Sequence, residues 1–109
     1  MIFEIEISEQ ADRDLRNIYE YIAFELQSPE NAAGQLNRLE ESIMGLNQMP
    51  ERFLGNEKEP WHSRGLRIMP VNNYCVFYIP DAGNAVVTII RVMYGGRDID
   101  TQSNKYTKQ

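Results

Sequence analysis

At 109 residues the chain is long enough for one domain with one core and too short for two. A hydrophobic fraction of 42% and a charged fraction of 25% lie near the globular average, so disorder is not the default state. The formal charge of −5 argues against a general nucleic-acid binder, and a single cysteine and a single histidine exclude an intrachain disulfide and a Cys/His metal cage.

The apolar runs are too short to span a bilayer. The opening MIFEIEIS carries acids where a secretory leader needs bases, so a reducing cytoplasm is the expected location and no membrane partner is expected. Charge is unevenly spread. Residues 1–59 hold 13 acidic and 5 basic side chains, whereas residues 60–109 hold 3 acidic and 6 basic. Any contact with an acidic partner is therefore expected from the second half.

Residues 2–7 alternate, with Phe3, Ile5 and Ile7 on one side and Glu4 and Glu6 on the other, the pattern of a half-buried strand. Ser8 followed by Glu9 is a helix start, a hydroxyl cap with an acid in the first turn. Ala11, Leu15, Ile18, Tyr19, Ile22 and Leu26 then keep to one helical face, and Tyr19 and Tyr21 read as packing residues rather than site residues. Ser28-Pro29-Glu30 is a second start, with Ser28 as the cap and proline at the first helical position. Leu36, Leu39, Ile43 and Leu46 form its stripe, and Pro50 stops it. Residues 8–48 thus read as two antiparallel helices joined by a tight turn.

Residues 51–65 carry Gly, Pro and charge without a period and read as a loop. Three strands follow: 66–70, the aromatic and β-branched 74–80, and 85–94, with Asp81-Ala82-Gly83-Asn84 turning a hairpin between the last two. The tail 101–109 is polar. The expected fold is α+β in the order β-α-α-β-β-β: a mainly antiparallel sheet packed against an N-terminal helical hairpin, as one domain over 1–100 with a tail from 101 to 109.

The chemistry is narrow. No residue set has metal-ligand spacing, no glycine loop cradles phosphate, and no nucleophile elbow is present, so neither a metal nor a cofactor is expected. What remains is a polar group near the sheet: His62, Arg64, Arg67, Arg91, Tyr94 and Arg97. Strict alternation along 85–94 puts Arg91 on one face with Val87, Ile89 and Met93, where it must meet an acid or an open cleft. Each arginine alone reads equally well as an internal salt bridge to a helix carboxylate; as a cluster they read as a binding surface. His62 beside Trp61 reads as a loop-packing residue, and Cys75 as a small sheet residue.

The element order resembles the RelE/ParE toxin superfamily over the chain to about residue 100, through three local matches in the right order. NAAGQLNRLEESIMGLNQMPERF resembles that family's second helix and its stop. GLRIMPVNNYCVFYIP resembles its second and third strands. IIRVMYGGRDI resembles its last strand and arginine-bearing exit, a pattern of the ParE branch. The resemblance implies a toxin neutralised by an antitoxin, with two branches. RelE-like members cleave mRNA on the ribosome; ParE-like members poison DNA gyrase. In the nuclease branch an arginine occupies the second place of the Tyr-x-apolar-apolar-Tyr strand, and here that place is Cys75, which supplies no charge and no guanidinium fork. The lysine-rich loop of nuclease members is thin here, with Lys58 between Glu57 and Glu59, and the chain is acidic where rRNA favours cations.

These departures point to the ParE branch. DNA gyrase is then the target, met by Arg91, Tyr94, Arg97 and the following tail. The alternative is a metal-independent, ribosome-dependent endoribonuclease in which Arg67 and Arg97 hold phosphate and Tyr94, Tyr106 or His62 moves protons. A third is a degenerate toxin that keeps only antitoxin binding. All three share an antitoxin partner, expected to lay a helix or strand over the toxin. Sequence-specific DNA binding would then belong to that partner.

Overall fold

A computed structural model describes residues 1–55 and 59–95. The elements are β1 (Glu4–Ile7), α1 (Glu9–Glu20) continued by a π-helical turn (Tyr21–Glu25), α2 (Pro29–Met44), α3 (Trp61–Arg64), β2 (Arg67–Val71), β3 (Tyr74–Asp81) and β4 (Val86–Tyr94). The strands form one sheet in the order β1-β4-β3-β2, with β1 parallel to β4 and the other pairs antiparallel. The fold is α+β with a mainly antiparallel sheet and a helical hairpin, as the sequence predicts, and the parallel β1–β4 pair makes the four-stranded sheet mixed. Among the described residues no helix is long and apolar enough to cross a membrane.

Local chemistry explains most boundaries. Ser8 is extended, and its hydroxyl accepts from the Ala11 N–H at 3.1 Å, the expected cap of α1. Pro29 opens α2 as expected, but the Ser28 side chain makes no capping hydrogen bond. Asn72 turns the β2–β3 hairpin at φ 55°, a left-handed conformation that asparagine tolerates better than most residues. The stretch 51–65 is not wholly a loop. It holds the single turn α3, stopped by Gly65 at φ 78°, whose N–H returns to the Trp61 and His62 carbonyls.

The main core lies between the helices and one sheet face. Ala11, Leu15, Leu39 and Ile43 from the hairpin meet Val76, Tyr78, Val87, Ile89 and Val92 from the sheet. Each large side chain removed from water here contributes about 1.5–3 kcal/mol before chain entropy is counted. The opposite sheet face carries a smaller cluster, Leu66, Cys75, Phe77 and Met93, which Trp61 of α3 packs against. Alternation on β3 is regular. Tyr74, Val76 and Tyr78 face the helices, whereas Cys75 and Phe77 face away.

On β4 the expected alternation fails. Phe77 pairs with Arg91 and Tyr78 with Ile89, so Ile90 is an extra residue in the ladder. This bulge reverses the phase: Val92 joins Val87 and Ile89 against the helices, and Met93 goes to the other face.

Candidate partner-binding groove

β1 is short, and its pairing with β4 ends at Ile7 opposite Ile89. Beyond that point β4 runs on for five residues with no strand on that side among the described residues. The start of α1 takes over. The Ser8 hydroxyl donates to the Ile90 carbonyl at 3.0 Å, and the Asp14 carboxylate accepts the Val92 N–H at 2.9 Å. Asp14 also accepts Arg91 Nε at 2.7 Å and Nη2 at 3.0 Å, a two-pronged ion pair. Helix α1 thus supplies the hydrogen bonds that the bulge and the missing strand leave open.

Further along the same side a groove of about 720 Å³ opens between the two helices, the β2–β3 turn and the end of β4. Ile18, Ile22 and Leu26 line one wall, and Gln35 and Arg38 of α2 line another. Tyr21, Tyr74 and Tyr94 close it. Tyr74 and Tyr94 meet edge to face, 5.8 Å between ring centres and 82° between planes. Burial pushes the Tyr74 phenol up, and the neighbouring Tyr94 and Tyr21 add to this. Tyr94 and Tyr21 stay more than half exposed, and Phe24 is 71% exposed at the adjoining hairpin tip. Tyr21 is therefore not a packing residue. The π turn places it at the groove mouth instead.

The second-half arginines do not form one cluster among the described residues. Arg67 sits on β2, and its Nη1 donates to the Phe53 carbonyl at 2.6 Å and the Glu51 carbonyl at 3.0 Å, tying down the segment after α2. Arg64 lies over the Trp61 ring at 5.2 Å. Arg91 has found its acid in Asp14 rather than an open cleft. His62 is exposed on α3, whose Trp61 covers the sheet face turned away from the helices; Tyr94 lines the groove on the helix side. Cys75 is buried, 3% exposed, and burial pushes its thiol up. Lys58, Arg97 and Tyr106 lie outside the described residues. Among the described residues no group of acidic, His or Cys side chains is placed to hold a metal.

Sequence reasoning missed Tyr21, Tyr74, Gln35 and Arg38. One signal was available. Ala32, Gln35, Leu39 and Ile43 form the buried stripe of α2, and Gln35 is the polar residue within it. A polar residue at a core position asks for a partner.

The arrangement is a RelE/ParE-like fold, shared with several solved structures. A structure of the chromosomal ParDE toxin–antitoxin system from P. aeruginosa superposes with a TM-score of 0.69 at 20% identity, covering 85% of this chain and 96% of that one. A RelBE toxin–antitoxin complex from Mycobacterium tuberculosis gives 0.63 at 20% identity over 86% and 99%. A free-state mutant of E. coli RelE gives 0.62 at 13% identity over 98% and 99%. No protein of curated function matches at a significant level. The family model for the ParE toxin of the type II toxin–antitoxin system parDE matches residues 5–99, and the chain belongs to that family.

Proposed function

We propose that this toxin inhibits DNA gyrase and is neutralised by a cognate antitoxin that binds across the tyrosine-lined groove. The observation that carries the choice of target is the environment of Cys75. The resemblance puts the nuclease branch's arginine at this position. Here it is a thiol packed with Leu66, Phe77 and Met93, with burial holding it protonated. Stabilising a phosphorane-like transition state needs a cation at hand. Arg67, the other candidate for phosphate, already donates to two backbone carbonyls.

The antitoxin reading draws support from the relatives. The P. aeruginosa and M. tuberculosis structures come from a toxin–antitoxin system and a toxin–antitoxin complex. The groove adds exposed aromatic and aliphatic side chains beside a strand side that no described strand covers, suited to a helix or an extended segment. Tyr94 and Arg97 remain the target-facing residues in this reading, and Arg91 becomes a positioning residue for β4.

The test is a pair of assays on the purified chain: gyrase supercoiling with accumulation of cleaved DNA, and mapping of mRNA cuts in a translating extract. Gyrase poisoning without RNA cuts is expected. Cuts in the ribosomal A site with gyrase unaffected would establish the nuclease alternative. Inertness in both, with antitoxin binding retained, would establish the degenerate one. Arg97→Ala should abolish toxicity while changing stability by less than about 0.5 kcal/mol.

A further inference from the structure

We infer that the groove seats a carboxylate of an apolar, acidic peptide segment, held between the Arg38 guanidinium and the side-chain NH2 of Gln35. This rests on reading the groove as the face of a neutralising partner, and it specifies that partner's chemistry.

Arg38 is the charged residue in the groove lining, on a chain whose net charge is −5. No carboxylate among the described residues lies within ion-pair distance of it. Its polar contact is Gln35 Oε1, at 3.4 Å from Nη2. The contrast with Arg16 and Arg91 matters, because each of those is paired with an aspartate. Gln35 is nine-tenths buried. Its Oε1 accepts from Arg38 and from Asn72 Nδ2, both at 3.4 Å, which fixes the amide's orientation. The Nε2 end has no acceptor among the described residues. Buried donors without partners are rare and costly, and this one belongs to a side chain of the groove lining, so an incoming oxygen that reaches it is favoured.

Two donor groups on residues one turn apart on α2, both in the groove lining and one of them cationic, select an anion. The surrounding Ile18, Leu26, Tyr21, Tyr74 and Tyr94 select apolar and aromatic side chains. A nucleic acid fits poorly, because a polyanion gains little from one guanidinium on an acidic protein. An acidic side chain flanked by apolar ones satisfies both walls and the charge.

The experiment pans a phage-displayed library of random 12-residue peptides against the full chain, Arg38→Glu and Gln35→Glu. Circular dichroism confirms that the variants fold; Arg38 is exposed, and Gln35→Glu keeps the acceptor oxygen. The wild type should enrich peptides with Asp or Glu among apolar residues. These should bind Arg38→Glu at least about tenfold more weakly, with Lys or Arg enriched there instead, and should also lose affinity on Gln35→Glu. Enrichment of peptides lacking an acid, equal binding of acidic peptides to Arg38→Glu, or displacement by a 12-nucleotide RNA would each overturn the assignment. Acidic peptides held in the groove by a protein that leaves gyrase untouched would keep this inference and defeat the proposed target.

Discussion

Asp14 is the residue whose removal should cost most for its size. Its carboxylate accepts three hydrogen bonds, two from Arg91 and one from the Val92 N–H, and the two side chains are 11% and 25% exposed. Asp14→Ala removes the acceptor, strands the Val92 N–H and takes the paired carboxylate away from Arg91. An unsatisfied buried N–H costs about 1–3 kcal/mol, and breaking a fully buried ion pair costs about 3–5 kcal/mol. The partial exposure of Arg91 relieves some of the second cost. The expected loss is about 2–4 kcal/mol. Arg91→Ala should cost less, about 1–2 kcal/mol, because Asp14 keeps the Val92 N–H. Urea unfolding of both single variants and the double variant gives the coupling, expected at about 1–2 kcal/mol. A loss below about 0.5 kcal/mol for Asp14→Ala, or strict additivity, would refute the argument that α1 completes the β4 edge. Toxicity of Arg91→Ala should follow its folded fraction. A fully folded yet inactive Arg91→Ala would return that residue to the target surface.

Three further outcomes follow from the same geometry. Burial holds the Tyr78 phenol up at about 12, although Arg67 and Arg52 oppose this, and its hydroxyl donates to the Pro50 carbonyl at 2.5 Å. The folded state therefore favours the neutral phenol. Its contribution, about 2–3 kcal/mol, is whole below the unfolded value near 10 and is lost as pH rises toward 12. Urea midpoints from about pH 8 to about pH 11 should fall more steeply for the wild type than for Tyr78→Phe, and parallel curves would contradict this. Gly34→Ala should stabilise α2 by about 0.5–1 kcal/mol, since the added Cβ meets Arg38 Nη1 at an ordinary 3.6 Å; a lowered thermal midpoint would show that this space is needed. Cys75 should react with a disulfide reagent only as fast as the protein opens, and a rapid native-state reaction would place the thiol outside the core.

The fold was largely legible because its signals are local. Ser8 caps where a cap was expected, Pro29 opens α2, and the hairpin of β3 and β4 follows its turn residues. What escaped has physical causes. The bulge at Ile90 lies in a run that is apolar on both sides, because both sheet faces are covered; one inserted residue leaves no break in such a run. The turn α3 is too short to show a period, and only Gly65 marks its end. Ser28 has a cap's identity but a backbone at φ −136° and ψ 71°, and its side chain makes no capping hydrogen bond.

The site was less legible, because its walls come from separate stretches near residues 18–26, 31–38, 73–74 and 94. No spacing rule joins them. The arginines show the same limit from the other side. Composition says that Arg67 and Arg91 need partners but not which ones. Arg67 takes backbone carbonyls because the segment after α2 crosses the edge beside β2. Arg91 takes Asp14 because β1 stops at Ile7, and the Val92 N–H already requires an acceptor at that spot. One short strand therefore decides two things at once. It converts a cation that resembled a target contact into a brace for β4, and it leaves the end of β4, with Tyr94, open beside the groove where Arg38 has no carboxylate among the described residues. A strand β1 long enough to reach Tyr94 would compete with the Asp14 brace and cover that opening together, so the brace and the groove have a common origin in the length of β1.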